Sequence, residues 1–227
     1  RYFSSVPNAT FFDGMILPGE VVTAESILSL KNKTFGQDDI VIASYNKSGT
    51  MWTAEMVAGT ALEGDTERLR AIPQTEKITW MECDEGILAP DDVLAGQNVS
   101  VPCDKKSIWF THVPLHRLPI SVLDGKCKLV YVARNPNDQA VSNFHYHKIN
   151  PCLGLQKQLT WGDFFAFHCS DFLVFGSWFD HVLSYWKFTR NNPNAKFIFF
   201  EDMKKDLMKE VESMEKFIGI DLSVGQR

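Results

Sequence analysis

The sequence has no excess of basic residues, since its 23 Lys and Arg against 28 Asp and Glu give a net charge of −5. Proteins that bind nucleic acid through its phosphates normally carry a basic field, so this balance argues against a nucleic-acid binder. A small anionic ligand held by a few local cations stays compatible with the composition.

Long apolar runs are also missing, because no stretch approaches the roughly 18 residues of a membrane-spanning helix. No secretory signal is visible. The five cysteines stand at irregular spacings, which favours reduced thiols in a cytoplasmic protein over a disulfide framework. Four Asn-x-Ser/Thr tripeptides point weakly towards secretion, although such tripeptides are common by chance; they begin at Asn8, Asn32, Asn46 and Asn98.

Repeats, low-complexity tracts and Gly/Ser linkers are absent too, and residues 1–227 are expected to form a single domain. An apolar share of 44% is ample for a packed core. Short β-branched or aromatic runs predict strands at Ile40–Tyr45, Ser107–Thr111, Lys128–Ala133 and Lys196–Phe200.

Helical patterns fall between these strands. Thr50–Ala61 follows the first strand after a short turn, and Asn135 with Pro136 is typical of a helix start. A third helix begins at Ser177, with an apolar stripe expected at Trp178, Val182 and Trp186 beside Phe179 and Leu183, and a last helix ends at Gly219. This alternation predicts an α/β fold with a central parallel sheet flanked by helices, and ligands beyond the carboxyl ends of its strands.

The first candidate site is the turn Lys47-Ser48-Gly49-Thr50, which joins the first strand directly to a helix. Helix N–H groups, a glycine that permits close approach, hydroxyls and an ammonium together suit an anion. The order of residues differs from a Walker A loop. A plain strand-to-helix turn with a solvated lysine is the alternative.

Two further candidates stand where later strands end. His112 follows a strand, where a side chain that titrates near neutrality could act as a general base or be merely structural. Arg134 precedes a helix start, where its guanidinium could bind phosphate through paired bonds or form a rim ion pair with Asp138. The His and Cys residues lack the paired spacing of a zinc site, so no metal is predicted.

These loops, in this order, resemble the cytosolic sulfotransferase family. Lys47–Trp52 resembles its 5′-phosphosulfate loop, Tyr131–Ser142 its 3′-phosphate strand and helix, and Thr111-His112 its catalytic histidine segment. Gly176–Val182 and Glu201–Lys204 are similar to further family segments. The resemblance runs from about residue 39 to residue 222, and it implies the P-loop-like sulfotransferase fold.

The resemblance implies sulfuryl transfer from 3′-phosphoadenosine 5′-phosphosulfate (PAPS) to a hydroxyl or amine of a small acceptor, with PAP as product and no metal. Lys47 would stabilise the departing phosphate, and His112 would take the acceptor proton. Arg134 and Ser142 would hold the 3′-phosphate. The donor-binding set implied is Lys47, Ser48, Gly49, Thr50, Met51, Trp52, Arg134 and Ser142.

Several positions depart from the family. Asn46 replaces a usual Pro, Phe110 replaces the Lys that commonly precedes Thr-His, and Phe200 replaces a usual Tyr. The sequence ends at Arg227, before a family segment that contributes further 3′-phosphate contacts and a dimer motif. A domain lacking that segment is therefore expected, and a homodimer is left open.

The acceptor side is expected to be apolar and aromatic, which suits a flat phenol, a steroid-like alcohol or an aromatic amine. Each lining candidate could equally be plain core. They are Trp80, Met81, Phe144 and Tyr146, with the early Phe11 and Phe12. Two other functions are open: a catalytically impaired homologue that binds PAPS or PAP, and, less in keeping with the sequence, a P-loop kinase or related hydrolase.

Overall fold

A parallel sheet lies at the centre of the structure, a computed structural model that describes residues 6–83, 106–154, 156–170, 172–223 and 225–226. The strands are β1 (Thr10–Phe12), β2 (Met15–Leu17), β3 (Asp39–Ser44), β4 (Thr79–Trp80), β5 (Ser107–Thr111), β6 (Lys128–Ala133) and β7 (Ala195–Phe199). The central sheet has five strands in the order β4-β5-β3-β6-β7, all parallel. β1 and β2 form a separate antiparallel hairpin.

Helices fill the connections between the strands. They are α1 (Ala24–Ser29), α2 (Thr50–Ala61), α3 (Thr66–Ala71), α4 (Gln74–Lys77), α5 (Ile120–Leu123), α6 (Pro136–Ile149), α7 (Trp161–Cys169), α8 (Trp178–Thr189), α9 (Phe200–Lys205) and α10 (Leu207–Ile218). Short 3-10 turns lie at Leu30–Asn32, Leu115–Arg117 and Pro151–Leu153. None of the helices in the described part of the chain is both long and apolar enough to cross a membrane.

The register of the sheet brings three loops to one edge. Ala43 of β3 lies opposite Thr111 of β5 on one side and Tyr131 of β6 on the other. Because the strands are parallel, the chain leaves each of them at the same edge. The loops that carry Lys47, His112 and Arg134 therefore start side by side.

The predicted parallel α/β fold is confirmed, and most predicted element ends are correct to within one residue. β3 and β7 each begin and end one residue earlier than predicted, which leaves Phe200 as the first residue of α9. The Asn135 side chain accepts the N–H groups of Asn137 and Asp138, as its predicted capping role requires. β3 and β6 are almost wholly buried, which explains their continuous apolar sequences.

The apolar stripe predicted for α8 is correct for Trp178, which is buried, and wrong for the residues after it. Trp186, Phe179 and Leu183 are exposed and Val182 is only half-buried. The buried face of α8 consists of Trp178, His181, Tyr185 and Thr189. Polar residues take that face because His181 and Tyr185 find hydrogen-bond partners inside the protein.

Candidate active site

A cavity of about 500 Å³ lies at the carboxyl edge of the sheet, where the three loops meet. Residues that the sequence assigned to the donor site, to the acceptor site and to the general base all line it. The predicted residues that line it are Lys47, Gly49, Thr50, Met51, Trp52, Trp80, His112, Arg134, Ser142 and Tyr146.

The turn between β3 and α2 is built from left-handed backbone. Lys47 has φ +63° and Gly49 has φ +107°, so the chain reverses tightly and α2 starts at Thr50. The Ser48 N–H donates to the Tyr45 carbonyl at 3.2 Å, which closes the turn. The first N–H groups of a helix have no carbonyl partner within that helix, so the start of α2 directs hydrogen-bond donors and the positive end of its dipole towards the cavity.

Lys47 and Arg134 are held close together. The Arg134 Nη1 donates to the Lys47 carbonyl at 3.2 Å. The Lys47 ammonium lies 4.3 Å from the centre of the Tyr146 ring. Burial and the nearby Arg134 charge lower the pKa of Lys47 from its usual value. Two cations that share a partly buried cavity disfavour each other, so an anion between them is favoured.

Arg134 is oriented by Phe200. Its guanidinium carbon lies 4.6 Å from the centre of the Phe200 ring. Trp52 also packs against Phe200, with the two ring centroids 5.3 Å apart and the ring planes 75° from parallel. The Arg134 Nε is buried and has no hydrogen-bond partner among the described residues. A guanidinium left partly unpaired inside a cavity is well suited to an oxyanion ligand.

His112 enters the cavity from the end of β5. Its Nδ1 donates to the Ser44 carbonyl at 2.8 Å, because a carbonyl can only accept. The lone pair of the neutral ring is therefore on Nε2. Burial lowers the pKa of His112 to about 4, against an opposing effect of the Ser44 bond, so the ring is neutral at physiological pH. A neutral imidazole with a fixed tautomer can accept a proton from a bound hydroxyl.

A hydroxyl pair joins the base to the anion loop. The Ser44 Oγ and the Thr50 Oγ1 lie 2.7 Å apart, and the same Ser44 Oγ is 3.4 Å from His112 Nδ1. Ser44 ends β3 and Thr50 begins α2, so the position of His112 is linked to that of the loop that carries Lys47.

Comparison with known proteins identifies this arrangement. The sequence model of the sulfotransferase domain family matches residues 37–227 of this chain. The chain belongs to the sulfotransferase family. It is 33% identical over 222 residues to sulfotransferase 1A1 of Canis lupus familiaris, which covers 96% of this chain and 68% of that protein. Human sulfotransferase 2A1 is 27% identical over 92% of this chain and 69% of its own length.

Solved structures agree with this assignment. Mouse sulfotransferase SULT7A1, crystallised with PAP, is 32% identical with a TM-score of 0.70 over 96% of this chain and 71% of its own. Retinol dehydratase, in a complex with retinol and PAP, is 25% identical with a TM-score of 0.79 over 99% of this chain and 72% of its own.

Five residues assigned to the site from the sequence fall outside the lining of the cavity, as far as the described residues define it. The Ser48 side chain is fully buried beneath the turn. Met81 lies in the core, where its N–H donates to the Phe110 carbonyl at 2.9 Å. Phe144 packs against α7, with its ring centroid 5.5 Å from that of Trp161 and 5.6 Å from that of Phe164. Phe11 and Phe12 likewise do not line it.

Other lining residues of the sulfotransferase-family site were not assigned to it from the sequence. Phe110 and Phe200 were noted only as departures from the family, yet both line the cavity. Phe175 and Leu153 come from loops that carry no chemical motif. Apolar loop residues of this kind are visible as site residues only once the fold brings them to the sheet edge.

No group of three or more His, Cys, Asp or Glu side chains in the described ranges is placed to hold a metal ion. A metal-free reaction stays a prediction from the sequence. The cysteines within the same ranges form no disulfide with one another; they are Cys83, Cys127, Cys152 and Cys169, and Cys103 lies outside the described residues.

Proposed function

We propose that this protein transfers a sulfuryl group from PAPS to the hydroxyl or amine of a small, apolar acceptor. His112 acts as the general base and Lys47 stabilises the leaving phosphate. The observation that carries the proposal is that Lys47, Arg134 and His112, which lie far apart in the sequence, line one cavity. The PAP bound in the structures of SULT7A1 and retinol dehydratase supports the choice of donor.

The donor side of the cavity fits a nucleotide with phosphate at both ends. The Lys47 turn and the start of α2 supply one cationic site, and Arg134 with Ser142 supplies the second. The orphaned Arg134 Nε provides an unused charged donor for a phosphate oxygen. Trp52 offers an aromatic face for the adenine.

In the transfer step, the acceptor oxygen forms a bond to sulfur while the bond from sulfur to the 5′-phosphate oxygen breaks. The acceptor proton passes to His112 Nε2, and PAP departs with the bonding electron pair. Negative charge grows on the phosphate oxygen, where the Lys47 ammonium and the helix N–H groups lower its energy. Phe110 carries no charge, so stabilisation of the leaving phosphate depends more heavily on Lys47.

The acceptor side of the cavity is apolar. Trp80 stacks on Phe110, with centroids 5.5 Å apart and planes 17° from parallel, and Phe175 lies 5.5 Å from the His112 ring. Such walls favour flat or hydrophobic acceptors, and phenols are the class proposed here. Retinol dehydratase has been crystallised with retinol and with androsterone, which are small apolar molecules.

The proposal is tested by replacing the base and the cation separately. We expect His112→Ala to lower kcat by about 10²–10⁴-fold for an acceptor that must lose a proton, and Lys47→Ala by a comparable factor. The assay measures sulfated product from PAPS and a panel of phenols by mass spectrometry. His145→Ala and Lys148→Ala are matched controls because both residues lie on α6 beside Phe144. Full activity of His112→Ala with a weakly acidic phenol would remove the base assignment.

A catalytically impaired homologue is the alternative function, because Phe110 and Phe200 replace polar family residues. It predicts that calorimetry detects PAP binding while no acceptor in the panel yields product. A cytoplasmic location, a single domain and a homodimer stay predictions from the sequence and the family resemblance.

A further inference from the structure

Two buried ionisable side chains form hydrogen bonds with the main chain of His112. Its N–H donates to the Glu82 Oε1 at 2.6 Å. Its carbonyl accepts a hydrogen bond from the His181 Nε2 at 3.0 Å. Glu82 follows β4 and His181 lies in α8, so two elements distant in sequence meet at one peptide segment. Glu82 and His181 together form a peptide clamp on His112.

The direction of the His181 bond is fixed by the His112 carbonyl, and a third residue, Tyr131, fits that direction. Because the His112 carbonyl can only accept, His181 must carry its proton on Nε2. The other ring nitrogen, Nδ1, lies 2.8 Å from the Tyr131 hydroxyl and so accepts from it. Burial lowers the pKa of His181 to about 3, so the ring is neutral. Tyr131, fully buried in β6, thus donates to the tautomer of His181 that holds His112.

Glu82 is an unusual residue at its position. Its side chain is fully buried, and an ionisable carboxyl in the interior is costly unless its partners compensate. Burial raises its pKa to about 7, with the His112 N–H as the strongest opposing effect. An apolar residue would fill the same space at lower cost. The carboxyl is therefore better explained by its short bond to the residue that bears the imidazole than by packing.

Three hydrogen bonds together leave His112 little freedom. The clamp holds the N–H and the carbonyl, and the Ser44 carbonyl holds the ring at Nδ1. We propose that Glu82 and His181 are positioning residues that fix the direction of His112 Nε2 towards the acceptor. This inference rests on the proposed function, in which Nε2 receives the acceptor proton. A displacement of about 1 Å at a reacting group can lower a rate on the order of 10²-fold.

Two variants of His181 distinguish the effect of losing its hydrogen bond from the effect of losing the volume of its ring. His181→Leu removes the donor, while His181→Gln keeps an N–H group at a similar distance from the backbone. We expect His181→Leu to lower kcat on the order of 10²-fold with little change in the KM for PAPS, and His181→Gln to recover most of that loss. Tyr131→Phe, which removes the hydroxyl that bonds His181 Nδ1 and the Tyr45 main chain, is expected to fall between them.

The acidity of the acceptor distinguishes positioning from a general loss of structure. In mildly alkaline buffer para-nitrophenol is largely ionised and needs little help from a base, whereas para-cresol must be deprotonated. The clamp predicts a much larger loss for His181→Leu with para-cresol than with para-nitrophenol. Equal losses with both acceptors, or no rescue by His181→Gln, would overturn it.

The matched control is His147→Leu, which also removes a buried histidine whose Nδ1 donates to a carbonyl, that of Asn143 at 2.8 Å. It is expected to lower thermal stability without a loss that depends on acceptor acidity. If His181→Leu fails to fold, Tyr131→Phe carries the same comparison, because it deletes a single hydroxyl.

Nitrogen NMR of His112 tests the clamp apart from catalysis. The wild-type ring is expected in the single form protonated on Nδ1, which the Ser44 carbonyl sets. Tyr131→Phe should keep that form but shift the His112 ring and amide signals and speed exchange of the His112 amide proton. An unchanged His112 spectrum in that variant would refute the clamp. Absence of any sulfated product from the wild-type protein, with this NMR response intact, would instead refute the proposed function.

Discussion

At the scale of single residues, Arg134 shows how one side chain serves both the fold and the ligand. Its Nη1 bonds the Lys47 carbonyl, its face lies over Phe200, and its Nε has no partner within the described residues. The first two contacts set the plane of the guanidinium before any ligand arrives. Only the arginine fork can meet these demands together, since a lysine ammonium is a point charge without a plane.

Arg134→Lys should therefore weaken recognition of the 3′-phosphate in particular. We expect affinity for PAP to fall by about tenfold or more, as for the loss of a charge-assisted bond of about 1.5 kcal/mol. Affinity for adenosine 5′-monophosphate, which lacks the 3′-phosphate, should change little. Calorimetry with both nucleotides measures the ratio. Arg190→Lys is the control, because Arg190 also lies over a ring, that of Trp186 at 5.6 Å, and is the exposed residue that directly follows α8. Equal losses for the two nucleotides would contradict this assignment.

Residue types and their order predicted where Lys47, His112 and Arg134 stand, because each directly follows a strand of a parallel sheet. The same reasoning failed for α8, where His181 and Tyr185 were not assigned to the buried face. A prediction from hydrophobicity alone places His181 and Tyr185 on the exposed face of α8. Their burial depends on partners supplied by β6 and by the loop after β5, Tyr131 and Val113 among them, and no local pattern shows those partners.

At the scale of elements, the junction of β3 and α2 is held in place by α6. The Gln139 amide donates to the Asn46 carbonyl at 2.9 Å, and the Asn46 amide donates to Asn143 Oδ1 at 3.3 Å. Asn46 stands where the family usually has a proline, whose ring would fix the backbone of this turn. These bonds from a neighbouring helix restrain the loop in another way, one that could not be foreseen without the contact between the two elements.

Gly49 is the least replaceable position of this junction. Its φ of +107° disfavours any side chain, and an added Cβ would lie 2.6 Å from the Phe200 ring. We expect Gly49→Ala to lower the free energy of unfolding by about 1–3 kcal/mol and to weaken PAP binding, because the Phe200 ring that supports Arg134 must move. Thermal melting and calorimetry measure the two effects.

Gly36→Ala is the matched control for that substitution. Gly36 has no left-handed backbone, and a Cβ there meets nothing within 4 Å. It should leave both the melting temperature and the affinity for PAP near their wild-type values. Similar behaviour of the two variants would mean that the close approach of Gly49 to Phe200 is not important for the site.

At the scale of the whole molecule, buried imidazoles couple folding to pH. Burial lowers the pKa of His112 and His147 to about 4 and that of His181 to about 3, from an ordinary 6.5. The folded protein keeps these rings neutral, while the unfolded chain protonates them near pH 6.5. Their contribution to stability is therefore complete above that pH and is lost as the pH falls towards 4. The shifts of His112 and His147 each correspond to about 3 kcal/mol, and that of His181 to about 5 kcal/mol.

Glu82 acts in the opposite direction, because its pKa is raised from 4.5 to about 7 and its contribution is lost as the pH rises through that window. Three histidines outweigh one carboxyl, so we expect the free energy of unfolding to rise from about pH 4 to pH 6.5. Urea unfolding across this range measures the slope, which is the difference in bound protons between the unfolded and folded states. His147→Gln removes one histidine that does not line the cavity, and it should lower that slope by nearly one proton. A slope that His147→Gln leaves unchanged would show that this buried ring does not make folding depend on pH.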